Sequence, residues 1–198
     1  MNFDHIDVAF ACAPKNLGIA GLTIVFVRKS LMEKKSKQEI TPGILDWKLQ
    51  IENECLWNTP ATFNIYVTGL VCEWMEQEGG VIEMEKRSIE KSKRLYNEID
   101  NSDGFWSTPH SKGNDPTEYF QGERRSRMNV PFGIVDDVED VMTQEFLKFA
   151  GDRNIVGLRT MTPFGVGEYL RASLYNSVSL EDVDVLIECM REFRLNKV

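Results

Sequence analysis

Residues 11–21 read Ala-Cys-Ala-Pro-Lys-Asn-Leu-Gly-Ile-Ala-Gly, a single lysine inside a run of small and apolar residues. An ammonium group shielded from water has its charged form disfavoured, so its pKa falls and the free amine becomes a nucleophile. Ala13, Gly18, Ala20 and Gly21 leave room for close approach by a flat cofactor or a second stretch of backbone. A Schiff-base lysine requires both conditions. On spacing alone a plainer alternative stays open, in which Lys15 snorkels from a strand end toward water and the glycines make a turn. Metal chemistry is not expected. Cys12, Cys55, Cys72 and Cys189 lie far apart, with no C-x-x-C pair and only His5 and His110 as companions, whereas zinc ligands come in close pairs. Reduced cysteines that mostly serve as packing residues are expected instead.

The elements that must position Lys15 are two strands, Asp7–Cys12 and Leu22–Arg28. Both are nearly continuous apolar runs, which suits strands covered on both faces in an α/β sheet. Two strands cannot cover both their own faces, so further structure is expected against them. A charged stretch from Arg28 to Gly43 follows, read as a solvated helix or loop. "NTPATFNIYVTGLVCEWMEQEGG" predicts a helix with Thr59 as cap, Pro60 in the first helical position and Gly79-Gly80 as its end. Its apolar stripe, Phe63, Tyr66, Val67, Leu70, Val71, Trp74 and Met75, is read as core packing. A second helix is predicted from about Val81 to Ile99.

Beyond Asn101 the elements become short and alternating. Gly104–Thr108 reads as a strand, and "HSKGNDPTEYFQGERR" as a polar loop. Met128, Val130, Phe132 and Ile134 carry the period of a half-buried strand, and Pro131 argues for an edge position. A helix over Val138–Ala150 and strands over Asn154–Leu158 and Arg171–Asn176 follow. The last helix opens at Ser179 with Asp182 as a capping-box partner, and buries Val183, Leu186, Ile187, Met190 and Phe193.

The chain of 198 residues has 31 acidic and 23 basic residues, a net charge of −8. Such a field disfavours nucleic acid or an anionic membrane as the main partner. No apolar run reaches membrane-spanning length, and a cytoplasmic protein is expected.

Five stretches occur in order: "FDHIDVAFACAPKNLGIAGLTIVFVRKSL", "LWNTPATFNIYVTGLVCEWMEQEGG", "NEIDNSDGFW", "RSRMNVPFGI" and "RASLYNSVSLEDV". Together they closely resemble the carboxy-terminal half of the phosphoserine aminotransferases, pyridoxal-phosphate enzymes of serine biosynthesis. The resemblance covers essentially the whole chain. It implies an α/β fold of type I, aspartate-aminotransferase-like. Residues 1–76 would be a remnant of the large cofactor-binding domain, and 77–198 the small α+β carboxy-terminal domain. It implies that Lys15 forms the Schiff base with pyridoxal 5'-phosphate and, once freed, moves the proton at the substrate α-carbon. Asn58 and Thr59 match residues that reach across the family's dimer interface to the partner's cofactor phosphate. Arg171 matches the arginine that clamps the substrate α-carboxylate. The implied reaction is 3-phosphohydroxypyruvate plus glutamate exchanging with phosphoserine plus 2-oxoglutarate.

The chain departs from the family's pattern at three places. The amino-terminal half, which supplies an acidic partner for the pyridinium nitrogen, a stacking ring and part of the phosphate cup, has no counterpart. Pro14 stands where the family has a phosphate-contacting glutamine, and proline has no donor to offer. Phe164 and Gly165 stand where the family has a His-Arg pair that grips the substrate's phosphate, and Arg159 is the nearest cation upstream. Two expectations follow: a transaminase polypeptide in a homodimer, or a non-catalytic fragment or interaction subunit in a mixed dimer with a full-length homologue.

Overall fold

The computed structural model describes residues 3–32, 42–109, 125–137, 139–161 and 169–197, with the backbone alone at 159–161. The chain divides into two compact units, Met1–Gln77 and Glu78–Val198.

In the first unit, β1 (Val8–Cys12) and β2 (Thr23–Val27) form an antiparallel pair, in register from Val8 opposite Val27 to Cys12 opposite Thr23. Arg28 closes its open end: its Nε donates to Asp7 Oδ1 at 2.9 Å, and its Nη2 donates to the carbonyls of Phe3, Asp4 and Ile6. The strands are where the apolar runs predict them. Coverage on both faces is not found among the described residues, where Phe10 is 73% exposed and Phe26 is also exposed. A short helix, α1 (Lys29–Met32), follows, and α2 (Trp47–Glu52) is capped by Asp46, whose carboxylate accepts from the N–H groups of Lys48 and Leu49.

Helix α3 (Thr62–Gln77) ends at Gly79 and Gly80, both with positive φ, as the glycine pair predicts. Its start corrects the sequence reading. Thr59 is not its cap, because a tight turn from Pro60, whose carbonyl accepts from the Thr62 N–H, delays the first helical residue to Thr62. Its apolar stripe is also not core in this chain: Phe63 is 67% exposed, Tyr66, Leu70 and Trp74 are exposed, and the buried residue is Thr68. A period of 3.6 marks a face as apolar but does not say what covers it. The same correction applies to the cysteines, of which only Cys189 is buried.

The second unit packs α4 (Gly80–Asp100), α5 (Val141–Gly151) and α6 (Leu180–Leu195) around an antiparallel sheet of order β3-β4-β6-β5, formed by Trp106–Ser107, Asn129–Ile134, Tyr169–Ser173 and Arg159–Met161. Val130, Phe132 and Ile134 of β4 and Leu170 and Ala172 of β6 enter one core with Leu95, Phe146, Met190 and Phe193. Trp106 meets Phe146 edge-on with centroids 4.9 Å apart, and Phe146 meets Phe193 likewise at 5.2 Å. Each fully buried ring of this kind contributes about 1.5–3 kcal/mol.

Two strand readings are corrected. β4 is interior in the sheet order rather than at its edge. Yet β3 pairs only with Gly133 and Ile134, so at the level of Pro131 the far side of β4 has no β3 partner and its missing N–H costs no ladder bond there. The strand expected at Asn154–Leu158 lies at Arg159–Met161, because Asn154 and Gly157 take positive φ and break the extended run. Ile155 and Leu158 still pack against the core from an irregular segment. Of the predicted loop over 110–125, residues 110–124 lie outside the described residues.

Helix α6 has the predicted capping box: Ser179 Oγ accepts from the Asp182 N–H at 3.0 Å, and the Asp182 carboxylate accepts from the Ser179 N–H at 2.8 Å. All five residues predicted for its buried stripe are buried. Lys91, 3% exposed on α4, donates to the carbonyls of Tyr175 and Val178, each at 2.8 Å, and so ties down the segment joining β6 to α6. Burial of that ammonium lowers its pKa.

Candidate functional site

Lys15 sits on the turn that leaves β1. Ala13 is fully buried and its N–H donates to Leu22 O at 2.9 Å, the Leu17 N–H returns to Ala13 O at 3.2 Å, and Pro14 bridges to Gly18. These constraints hold Lys15 at φ +90°, where a side chain is rarely found, at a cost of order 1 kcal/mol or more. Helix α3 presses on the same turn. Asn64 Nδ2 donates to Ala20 O, and a Cβ on Gly21 would lie 2.9 Å from that nitrogen. A Cβ on Gly18, at φ +148°, would lie 2.9 Å from Thr68 Oγ1. The glycines therefore admit a second element, as their size allows. Lys15 itself is exposed, so the shelter expected from its small and apolar neighbours is not found among the described residues.

Asn58 and Thr59 precede α3 in the same unit, both exposed. The Thr59 N–H donates to Asn58 Oδ1 at 2.9 Å, which leaves the Asn58 amide N–H groups and the Thr59 hydroxyl as outward donors.

Arg171 belongs to the second unit, on β6 opposite Pro131 of β4 and opposite Arg159 of β5. Strand alternation sends Leu170 and Ala172 into the core and puts Tyr169, Arg171 and Ser173 on the other face. The Tyr169 ring lies over Gly133, where an added Cβ would come within 2.9 Å of ring Cδ1. On the other flank, Asn129 Oδ1 accepts from Ser173 Oγ at 3.0 Å and from the Tyr175 hydroxyl at 3.1 Å. Between these flanks the Arg171 Nε is buried with no acceptor among the described residues. Every other arginine with a described side chain holds a carboxylate: Arg28, Arg87, Arg94, Arg125, Arg127, Arg153, Arg191 and Arg194. A half-buried guanidinium without its anion is a site for one.

Thus Lys15, Asn58 and Thr59 occupy one unit and Arg171 the other. The sequence reading missed Asn64 and Thr68, for which no local pattern gives a signal. It also missed Asn129 and Ser173; Ser173 shares strand parity with Arg171, and that parity was a usable clue. Phe164, Gly165 and His110 lie outside the described residues. Among the described residues no group of His, Cys, Asp or Glu is placed to hold a metal, and no helix is long and apolar enough to cross a membrane.

The class-V aminotransferase family model matches residues 1–186. The phosphoserine aminotransferase of Paraburkholderia phytofirmans is 39% identical over 193 residues, 98% of this chain and 48% of that protein. The phosphoserine aminotransferase structure from Bacillus circulans subsp. alkalophilus superposes with a TM-score of 0.84 at 30% identity, over all of this chain and 50% of that one. The pyridoxal-phosphate-bound phosphoserine aminotransferase from Trichomonas vaginalis gives 0.81 at 32% identity, over 96% of this chain and 49% of that one. This chain spans about half the length of the relatives it matches. With a lysine turn, an unneutralised arginine and a fold shared with these enzymes, the chain belongs to the class-V aminotransferase family.

Proposed function

We propose that this chain is the lysine-bearing part of a pyridoxal-phosphate-dependent phosphoserine transaminase. In this reading residues 1–76 belong to its large cofactor-binding domain and 77–198 form its small domain. The single observation that carries the reading is Arg171, the arginine that alone among those with described side chains lacks a carboxylate and whose Nε is buried without an acceptor. An amino acid or 2-oxo acid substrate brings the carboxylate that such a group requires.

The donor set suits the cofactor. A primary amine stands exposed on a braced turn, and amide and hydroxyl donors stand exposed before a helix, where a phosphate is favoured. Pyridoxal phosphate, when bound, supplies an electron sink for the substrate carbanion. Lys15 would hold the cofactor through its aldehyde and would move the proton at the substrate α-carbon. Asn58 and Thr59 would donate to the phosphate of a partner's cofactor. Arg171 fixes the substrate by its carboxylate and so decides which α-carbon bond faces the lysine.

The assembly is a homodimer or a mixed dimer with a full-length homologue, acting in the cytoplasm, where the four unpaired cysteines stay reduced. The exposed Phe10, Phe26, Phe63 and Tyr66 favour an obligate partner, and they also support the second reading, an interaction subunit without catalysis of its own. Titration with pyridoxal phosphate and then phosphoserine separates the two. The transaminase reading expects a visible absorbance band that K15A lacks and that phosphoserine discharges. No K15-dependent band, alone or with a full-length homologue, would refute it.

A further inference from the structure

Helix α3 turns the less apolar of its faces toward its own unit. Phe63, Tyr66, Leu70 and Trp74 are exposed, while Asn64 is half-buried and Thr68 is only 6% exposed. Asn64 and Thr68 stand four residues apart, so they lie one above the other on a single face. That face meets the limb of the turn that runs from Lys15 back to β2. Asn64 Nδ2 donates to Ala20 O, and the space a Cβ would need on Gly18 and Gly21 is taken by Thr68 and Asn64. Thr68 Oγ1 is buried with no hydrogen-bond partner among the described residues, so Thr68 contributes shape to the contact. An amide donor on one carbonyl fixes the register of the helix against the turn, which non-directional apolar contact does not.

The turn needs such a fixture. Lys15 at φ +90° holds a conformation that persists only where the surrounding structure over-determines it. The hydrogen bonds within the turn, from the Ala13 N–H to Leu22 O and from the Leu17 N–H to Ala13 O, do not reach the limb at Ala20. We propose that Asn64 is a positioning residue for Lys15: through the Ala20 carbonyl it ties the lysine turn to a rigid helix and so fixes where the amine points. The proposal rests on the reading of Lys15 as the amine that takes the cofactor aldehyde, and it adds the residue that aims that amine. A functional side chain on a turn gains precision when the turn is held by a helix.

The test is N64D, which keeps the side-chain shape and removes the N–H donor, set against T68V, which keeps the shape of Thr68 and removes its hydroxyl. Both variants are measured as the full chain, in two ways. Without cofactor, amide hydrogen exchange over peptides spanning 13–22 is expected to quicken about threefold to tenfold in N64D, with exchange across 78–198 unchanged. With pyridoxal phosphate and borohydride, well below the melting temperature, the share of pyridoxyl label carried by Lys15 among all lysines is expected to fall about threefold to tenfold. T68V matches the parent in both. Unchanged exchange over 13–22 in N64D, or a Lys15 share that holds there while the parent is labelled, overturns the proposal. So does exchange that quickens evenly over the first 77 residues, the mark of a residue that only stabilises the unit, and so does an equal loss in T68V, which assigns the hold to packing. Should N64D fail to fold, N64S, whose donor stops short of Ala20, is read the same way. A parent with no label at Lys15 refutes the cofactor reading and leaves the exchange comparison to decide the role of Asn64.

Discussion

Arg171 and Tyr96 show how a single side chain reports its surroundings. The Arg171 Nε was desolvated without gaining an acceptor, so the group costs stability in the absence of ligand. R171Q is expected to weaken binding of a carboxylate ligand by about tenfold to a hundredfold, while the ligand-free melting temperature holds or rises. Loss of stability with unchanged binding would make Arg171 a structural residue. Tyr96 on α4 donates to Ser126 O at 3.1 Å, and burial pushes its phenol up to about 12. A folded-state pKa above the unfolded value near 10 gives stability that is complete below pH 10 and lost as pH rises toward 12. Urea titrations across that range should show the decline, and Y96F should flatten it. The type and position of Arg171 were legible in the sequence. Its lack of a partner was not, because eight other arginines look the same until their carboxylates are found across the fold.

At the level of elements, the β4–β6 pairing depends on Gly133 yielding its Cβ space to the Tyr169 ring. G133A is expected to destabilise by about 1–3 kcal/mol in denaturant melts, the cost of overpacking against a ring that is 2% exposed. S179A should cost about 1 kcal/mol, since it removes the side-chain half of the α6 capping box. That helix was readable in full, because cap, stripe and partner sheet all lie within one unit. Helix α3 was readable only as an amphipathic helix. Its face is apolar, but the chain does not bury it, and no periodicity says what does. β5 was misplaced because Ile155 and Leu158 look like strand residues, and the positive φ at Asn154 and Gly157 that bars an extended path is a property of the folded turn.

For the whole molecule, the two units differ in how far they satisfy themselves. Residues 78–198 enclose a continuous aromatic and aliphatic core. The hairpin and α3 in the first 77 residues leave large apolar side chains on the surface. Sedimentation at rising concentration should therefore show association, and added full-length homologue should suppress it if the apolar faces are its binding surface. The family was legible because short ordered motifs are kept in a chain that spans about half the length of its relatives. The exposure of Lys15 was not, because small and apolar neighbours permit a close approach without themselves covering the amine. The most direct measurement is borohydride reduction of the chain with pyridoxal phosphate, alone and with a full-length homologue, followed by peptide mapping. The account predicts the pyridoxyl mass concentrated on the peptide containing Lys15, and label spread over surface lysines with none enriched at Lys15 would contradict it.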